Sequence, residues 1–295
     1  MKKLNLVNLY VFIVAAAAIL AAAATSFMPS TDPGGVWEIV AFITVALVLH
    51  RTGTTLKFQG SGSTAFIINL SAGILFGAAW SALVAGTSLG LSQLLDKKPL
   101  KKVVFNSAQI VIAIVVSLFV YHSLGGQIPP AYLTHSDGVS PLAVQRDFAL
   151  FFAFAALYFV VNSVLVSTAI ALSSKRPFAE VWTGNTRGVL GYDLGASAIA
   201  MVMAWLFIWS RVHWHFGAIG ILAVVLPIAF VRKTYGMYRN LEATSQELLE
   251  VMVKAIEARD PYTSGHSERV AHLSKAIAQE QGELSADEIQ KVFKA

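Results

Sequence analysis

The stretch DKKPLKKVVFNSAQIVIAIVVSLFVYHSL, residues 96–124, sets four lysines against a long apolar run, and its reading decides the fold. Residues 103–124 contain no Asp, Glu, Lys or Arg. A bilayer's hydrocarbon core is roughly 30 Å thick and takes about 20 helical residues to cross. Backbone polar groups at that depth must be bonded within their own segment, and the alternating pattern of a barrel strand is missing, so a membrane helix is expected. The lysines ahead of it then read as a topology signal.

The same arrangement recurs along the chain. Apolar segments run at about 5–27, 35–50, 64–77, 78–95, 103–124, 147–172, 188–210 and 216–231. With 56% hydrophobic and only 13% charged residues, the composition falls outside the soluble globular class. The expectation is an all-α polytopic membrane bundle of about eight spans, followed by a short cytoplasmic helical segment. The third and fourth segments run together through Leu75-Phe76-Gly77-Ala78, as two tilted spans or one re-entrant hairpin.

Orientation follows from the basic residues. Lys2, Lys3, Arg51, Lys57, Lys97, Lys98, Lys101, Lys102, Lys175, Arg176, Arg187, Arg232 and Lys233 fall on one side, and Arg146 and Arg211 on the other, 13 against 2. That asymmetry places both termini in the cytoplasm. The net charge of +5 sits in short clusters between apolar runs rather than on one face, so no nucleic-acid partner is expected; the lipid bilayer is the first partner. Zero cysteines exclude disulfides and thiolate metal sites. The start, MKKLNLVNLYVFIVAAAAILAAAATS, imitates a secretory signal, but its uncharged stretch from Leu4 to Thr25 exceeds the usual signal core of about 7–15 residues. A retained first helix is expected. The loop from Gly125 to Arg146, with His135 and Asp137, reads as an irregular connector or a lid, connector being favoured.

Polar residues inside spans are costly without partners. Asn69, Asn106, Gln109, Asn162 and Asp193 are the candidates for a membrane pocket. Asn106 and Gln109, three apart, share a helix face and could line one small cavity. Asp193 lies near a helix start, where the helix dipole favours a carboxylate. Interhelical hydrogen bonding accounts for the same residues, and a ligand pocket is the alternative. Gly184, Gly188, Gly191 and Gly195 read as places where helices approach closely.

After the last span, Leu241, Leu248, Met252 and Ala255-Ile256 form an amphipathic pattern over a connecting helix, residues 234–259. It should stop at Asp260-Pro261. In DPYTSGHSERVA, residues 260–271, Thr263 and Ser264 can cap a new helix whose stripe of His266, Val270, Leu273 and Ile277 faces inward. Ser285 and Glu288 suggest a third helix with a capping box.

Residues 255–292 resemble the opening of the HD-GYP branch of the HD-domain metal-dependent phosphohydrolases. Asp260, Tyr262, Thr263, Gly265, His266, Arg269, Val270 and Ala271 match its motif position by position. The resemblance implies hydrolysis of cyclic di-GMP by a site holding iron or manganese, with His266 as the first metal ligand. The family's His-Asp pair and Gly-Tyr-Pro signature are not in residues 1–295, so 260–295 would be a truncated start and 1–233 a membrane-spanning, sensor-like domain. One imidazole does not make a catalytic metal site, which takes about three protein ligands. No metal is therefore expected to bind this chain tightly, no complete catalytic set is present, and His272 falls on another helix face. The implied whole is a bacterial inner-membrane signalling protein, with a cyclic dinucleotide as ligand only of a complete domain and a homodimer or a second membrane protein as partner. The alternatives are a non-catalytic membrane subunit that docks a partner and a small-solute-binding membrane module.

Overall fold

The computed structural model describes residues 6–51, 64–134, 140–186, 190–259, 266–281 and 292. Among them the chain is helical: α1 (Leu6–Ala24), α2 (Val36–Arg51), α3 (Ala65–Phe76), α4 (Ala78–Leu95), α5 (Leu100–Ser123), α6 (Ala131–Thr134), α7 (Pro141–Ser174), α8 (Phe178–Thr186), α9 (Leu190–Trp214), α10 (Ala218–Arg259) and α11 (His266–Gln281). Each of the eight apolar segments becomes helix. Among the described residues, five stretches are long and apolar enough to cross a membrane: Leu6–Phe27, Ala78–Leu95, Leu100–Ser123, Pro141–Ser174 and Asp193–Trp214. The helix α3 and the apolar start of α10, Ala218–Pro227, are shorter.

Local chemistry sets the boundaries. Ser140 caps α7, its hydroxyl accepting from the Ala143 amide at 3.2 Å, with Pro141 in the first helical turn. The helix therefore starts ahead of the apolar run at 147. The helix α10 ends at Arg259, directly before Asp260-Pro261. Residues 178–186, between the sixth and seventh apolar segments, form α8.

The chain divides into two compact units, Met1–Ala229 and Phe230–Ala295. In the first, α3 is buried along its whole length, which explains how so short a segment survives in an apolar protein: its surroundings are other helices. Gly77, at φ +88, breaks the chain between α3 and α4. The two helices fold back on each other, since the Ser81 hydroxyl on α4 donates to the Asn69 carbonyl on α3 at 2.8 Å. The helix α4 is long and apolar enough to cross a membrane, while α3, at 12 residues, is shorter. Residues before α2 close over its apex, the Thr31 amide donating to Phe76 O at 3.2 Å.

Two ends of this unit are well marked. Near one, α1 lies along α5, with the Tyr10 and Phe105 rings 5.9 Å apart, Lys101 bonded to Asn8, and the Tyr10 hydroxyl donating to Leu165 O at 3.0 Å. At the other, the Gly217 amide donates to Glu38 Oε1 at 3.0 Å, and Arg211 donates to the Pro33 carbonyl at 3.1 Å. Beside this second end Phe42, Phe76 and Phe207 form an edge-to-face triangle with centroids 5.3–5.5 Å apart, joining α2, α3 and α9.

Three sequence expectations are corrected. Gly184, Gly191 and Gly195 have nothing within 4 Å of where a Cβ would stand, so they serve no close approach; Gly188 lies outside the described residues. The close approaches occur at Gly73, against Phe154 and Leu118, and at Gly220, where a Cβ would lie 2.3 Å from Leu206 O. In the second unit, Val270, Leu273 and Ile277 do not face inward: they are 46%, 63% and 54% exposed, and Ala278 is the buried residue of α11. A stripe needs a facing element, and none of the described residues covers it. The third correction concerns Asn106 and belongs to the candidate site.

Candidate functional site

Asn69 lies in the middle of α3 and is 0% exposed. Its backbone carbonyl is engaged by Ser81, yet neither Oδ1 nor Nδ2 of its side chain completes a hydrogen bond. The Tyr158 hydroxyl on α7 lies beside that amide without closing the contact, and Asp193, in the first turn of α9, is near enough to act electrostatically on the same hydroxyl. Three helices thus bring an amide, a phenol and a carboxylate into one neighbourhood. The Ser71 hydroxyl fixes the relation of two of them, lying 2.8 Å from the Ala200 carbonyl on α9. Thr64, the residue before α3, adds a buried hydroxyl without a partner.

Of the five residues singled out in the sequence, Asn69 and Asp193 converge here, and half-buried Asn162 lies one helical turn from Tyr158. Asn106 does not share a cavity with Gln109. Its Nδ2 donates to Gln93 Oε1 on α4 at 2.9 Å, because the helix face carrying it packs on α4. Gln109 is buried on α5 with Oε1 unpartnered. Tyr158 was not legible as a site residue, since a tyrosine in LFFAFAALYFVVNS looks like one more aromatic of the core.

A buried amide with no partner costs free energy, on the order of 1–3 kcal/mol. The cluster can supply donors and acceptors to a small polar molecule.

The cytoplasmic-type motif is described only in part. His266 is the first residue of α11, while its side chain, and Asp260, Tyr262, Thr263, Ser264 and Gly265, lie outside the described residues, as do Ser285, Glu288, His135 and Asp137. His272 is exposed on α11. Among the described residues no three His, Cys, Asp or Glu side chains gather as a metal site.

An all-helical bundle with several helices long and apolar enough to cross a membrane is the architecture of an integral membrane module. The model of the MASE9 family, a membrane-associated sensor domain, matches residues 1–241, and the chain belongs to that family. No curated protein and no solved structure matches it. The match ends ahead of DPYTSGHSERVA.

Proposed function

We propose that this chain is the input module of a bacterial inner-membrane signalling protein and that residues 260–295 begin a cytoplasmic HD-GYP-type phosphodiesterase domain under its control. The observation that carries the reading is the order of parts: a membrane sensor domain over 1–241, then the rest of α10 to Arg259, then a helix opening on His266 in a motif resembling that enzyme family. The input is a small polar molecule held by Asn69, Tyr158 and Asp193. Such a ligand biases the protein only if it binds two packings of α3, α7 and α9 unequally. The helix α9 is tied to α10 through Ser210, whose hydroxyl accepts from the Gly220 amide at 3.2 Å, so a shift of α9 is passed to the helix that leads out of the membrane unit. Exposed Leu241, Leu248 and Met252 on α10 offer a stripe for a second copy.

Among the described residues no metal site is assembled, and no step of hydrolysis is assigned to them. The test is to read the gene beyond codon 295 and to assay the complete product for manganese- or iron-dependent hydrolysis of cyclic di-GMP. A His-Asp pair within a few tens of codons, and loss of turnover in His266→Ala with insertion intact, are expected. A stop codon at that point, with stable capture of another protein on the exposed Val270–Leu273–Ile277 stripe, would instead support the second reading, a partner-docking membrane subunit.

A further inference from the structure

A second polar cluster lies at the end of the bundle where α5 finishes, α6 forms and α7 begins, the end opposite the lysines of residues 97–102. Tyr121, Tyr132 and Asp147 meet there. Asp147 is 7% exposed, and its Oδ2 has no hydrogen-bond partner. The Tyr132 hydroxyl is also buried and unpartnered. Both act electrostatically on one another, and Tyr121 acts on Tyr132 as well. Tyr121 is already committed: it donates to Gln127 O at 3.0 Å, and its ring packs so tightly on Gly126 that a Cβ there would lie 2.4 Å away. The guanidinium of Arg146, the nearest cation in sequence, donates to Gly125 O at 3.0 Å and also acts electrostatically on Tyr121. Among the described residues it makes no ion pair with Asp147.

The surroundings are aromatic. Tyr132 stacks on Phe148 with centroids 5.6 Å apart, and Tyr121 packs on Phe154 at 5.8 Å. Burial, with the neighbouring Tyr121 and Asp147 adding to it, pushes the Tyr132 phenol well above the ordinary tyrosine range, so it stays protonated. A carboxylate oxygen left unsatisfied in such a place is costly and calls for a donor that carries positive charge. Aromatic faces favour an organic cation over a metal ion, which would want several more oxygen ligands than are present.

We propose that this cluster binds a small protonated amine, its N–H groups donating to Asp147 Oδ2 and to the Tyr132 hydroxyl oxygen, with the Tyr121 and Tyr132 rings around it. The site is separate from the Asn69 cluster, and neither depends on the other. It gives the module a point of chemical recognition at the end away from the basic loops.

The test uses the full chain in detergent, with methylammonium chloride as the probe and sodium chloride at equal ionic strength as the reference. Methylammonium should raise the melting temperature by roughly 5 °C when far above its Kd, growing with the logarithm of concentration. Asp147→Asn and Tyr132→Phe should each abolish that rise, and Asp147→Asn should melt no lower than the parent without amine, because it removes an unpaired buried charge. Equal stabilisation by sodium would overturn the assignment to an amine. So would a response retained in Tyr132→Phe and Asp147→Asn, or an Asp147→Asn protein that melts lower or fails to fold, since the carboxylate would then be held by the fold itself.

Discussion

Asn69 is enclosed on all sides, and leucine, which has the same branched side-chain skeleton with bulkier end groups, tests what its amide is for. If the side chain only packs, replacing an unsatisfied amide by an apolar group relieves its desolvation. Asn69→Leu is expected to stabilise the membrane unit by about 1–2 kcal/mol in thermal or denaturant unfolding and to remove the response to the input ligand. A loss of stability would mean that the amide is a structural member of the α3–α7 contact, and the proposed input site would fall. The two basic residues that break the charge asymmetry have an explanation at the same scale. Arg146 and Arg211 each bind backbone carbonyls of a neighbouring loop, Gly125 for one and Pro33 for the other. They are anchors at their end of the bundle, and their cost against the positive-inside bias is offset by those bonds.

At the scale of elements, the α3–α4 hairpin turns on one backbone conformation. Gly77 has φ +88 and ψ −172, a region closed to residues with a side chain, and a Cβ there would stand 2.4 Å from the Pro29 carbonyl oxygen. Gly77→Ala is expected to destabilise the membrane unit by about 3 kcal/mol, strain and displacement of residues 29–31 together. Gly184→Ala, in α8 and facing open space, should be neutral or gain up to about 1 kcal/mol from helix propensity. Paired unfolding curves check both, and equal effects would show that the hairpin apex is not what holds α3 in place. The contrast also explains what could be read from the sequence. Apolar runs are local, so all eight segments were legible as helix. Which glycine meets a neighbour is decided by a partner far away in the chain, as with Gly220 against Leu206 across the α9–α10 turn. For that reason the glycines at 184, 191 and 195 looked like packing positions and are not. For Asn106 both an interhelical bond and a cavity stayed open, because its helix face was known while the residue opposite, Gln93, was not; the bond is what forms.

For the whole molecule, the open question is which way the bundle faces. The end with Lys97, Lys98, Lys101, Lys102 and Lys175 carries the turn from α4 to α5 and the finish of α7, and the opposite end carries Gly35, Gln127 and the Glu38–Gly217 contact. The excess of lysine and arginine around short loops argues that the first end is cytoplasmic, since translocating those charges is disfavoured. The chain has no cysteine, so any introduced thiol reports alone. Lys98→Cys, beside the α4–α5 turn, should resist a membrane-impermeant maleimide in intact cells stripped of any outer membrane and react after permeabilisation. Gly35→Cys, with nothing within 4 Å of its Cβ position, should react in the intact cells. The two patterns exchanged would invert the module: the amine cluster near Asp147 would then face the cytoplasm, α10 would run outward, and His266 could not open a cytoplasmic domain. Labelling of both sites before permeabilisation would break the alternation of spans itself. Protection at 98 with reactivity at 35 is the outcome required by a module that receives its signal at one face and delivers it at the other.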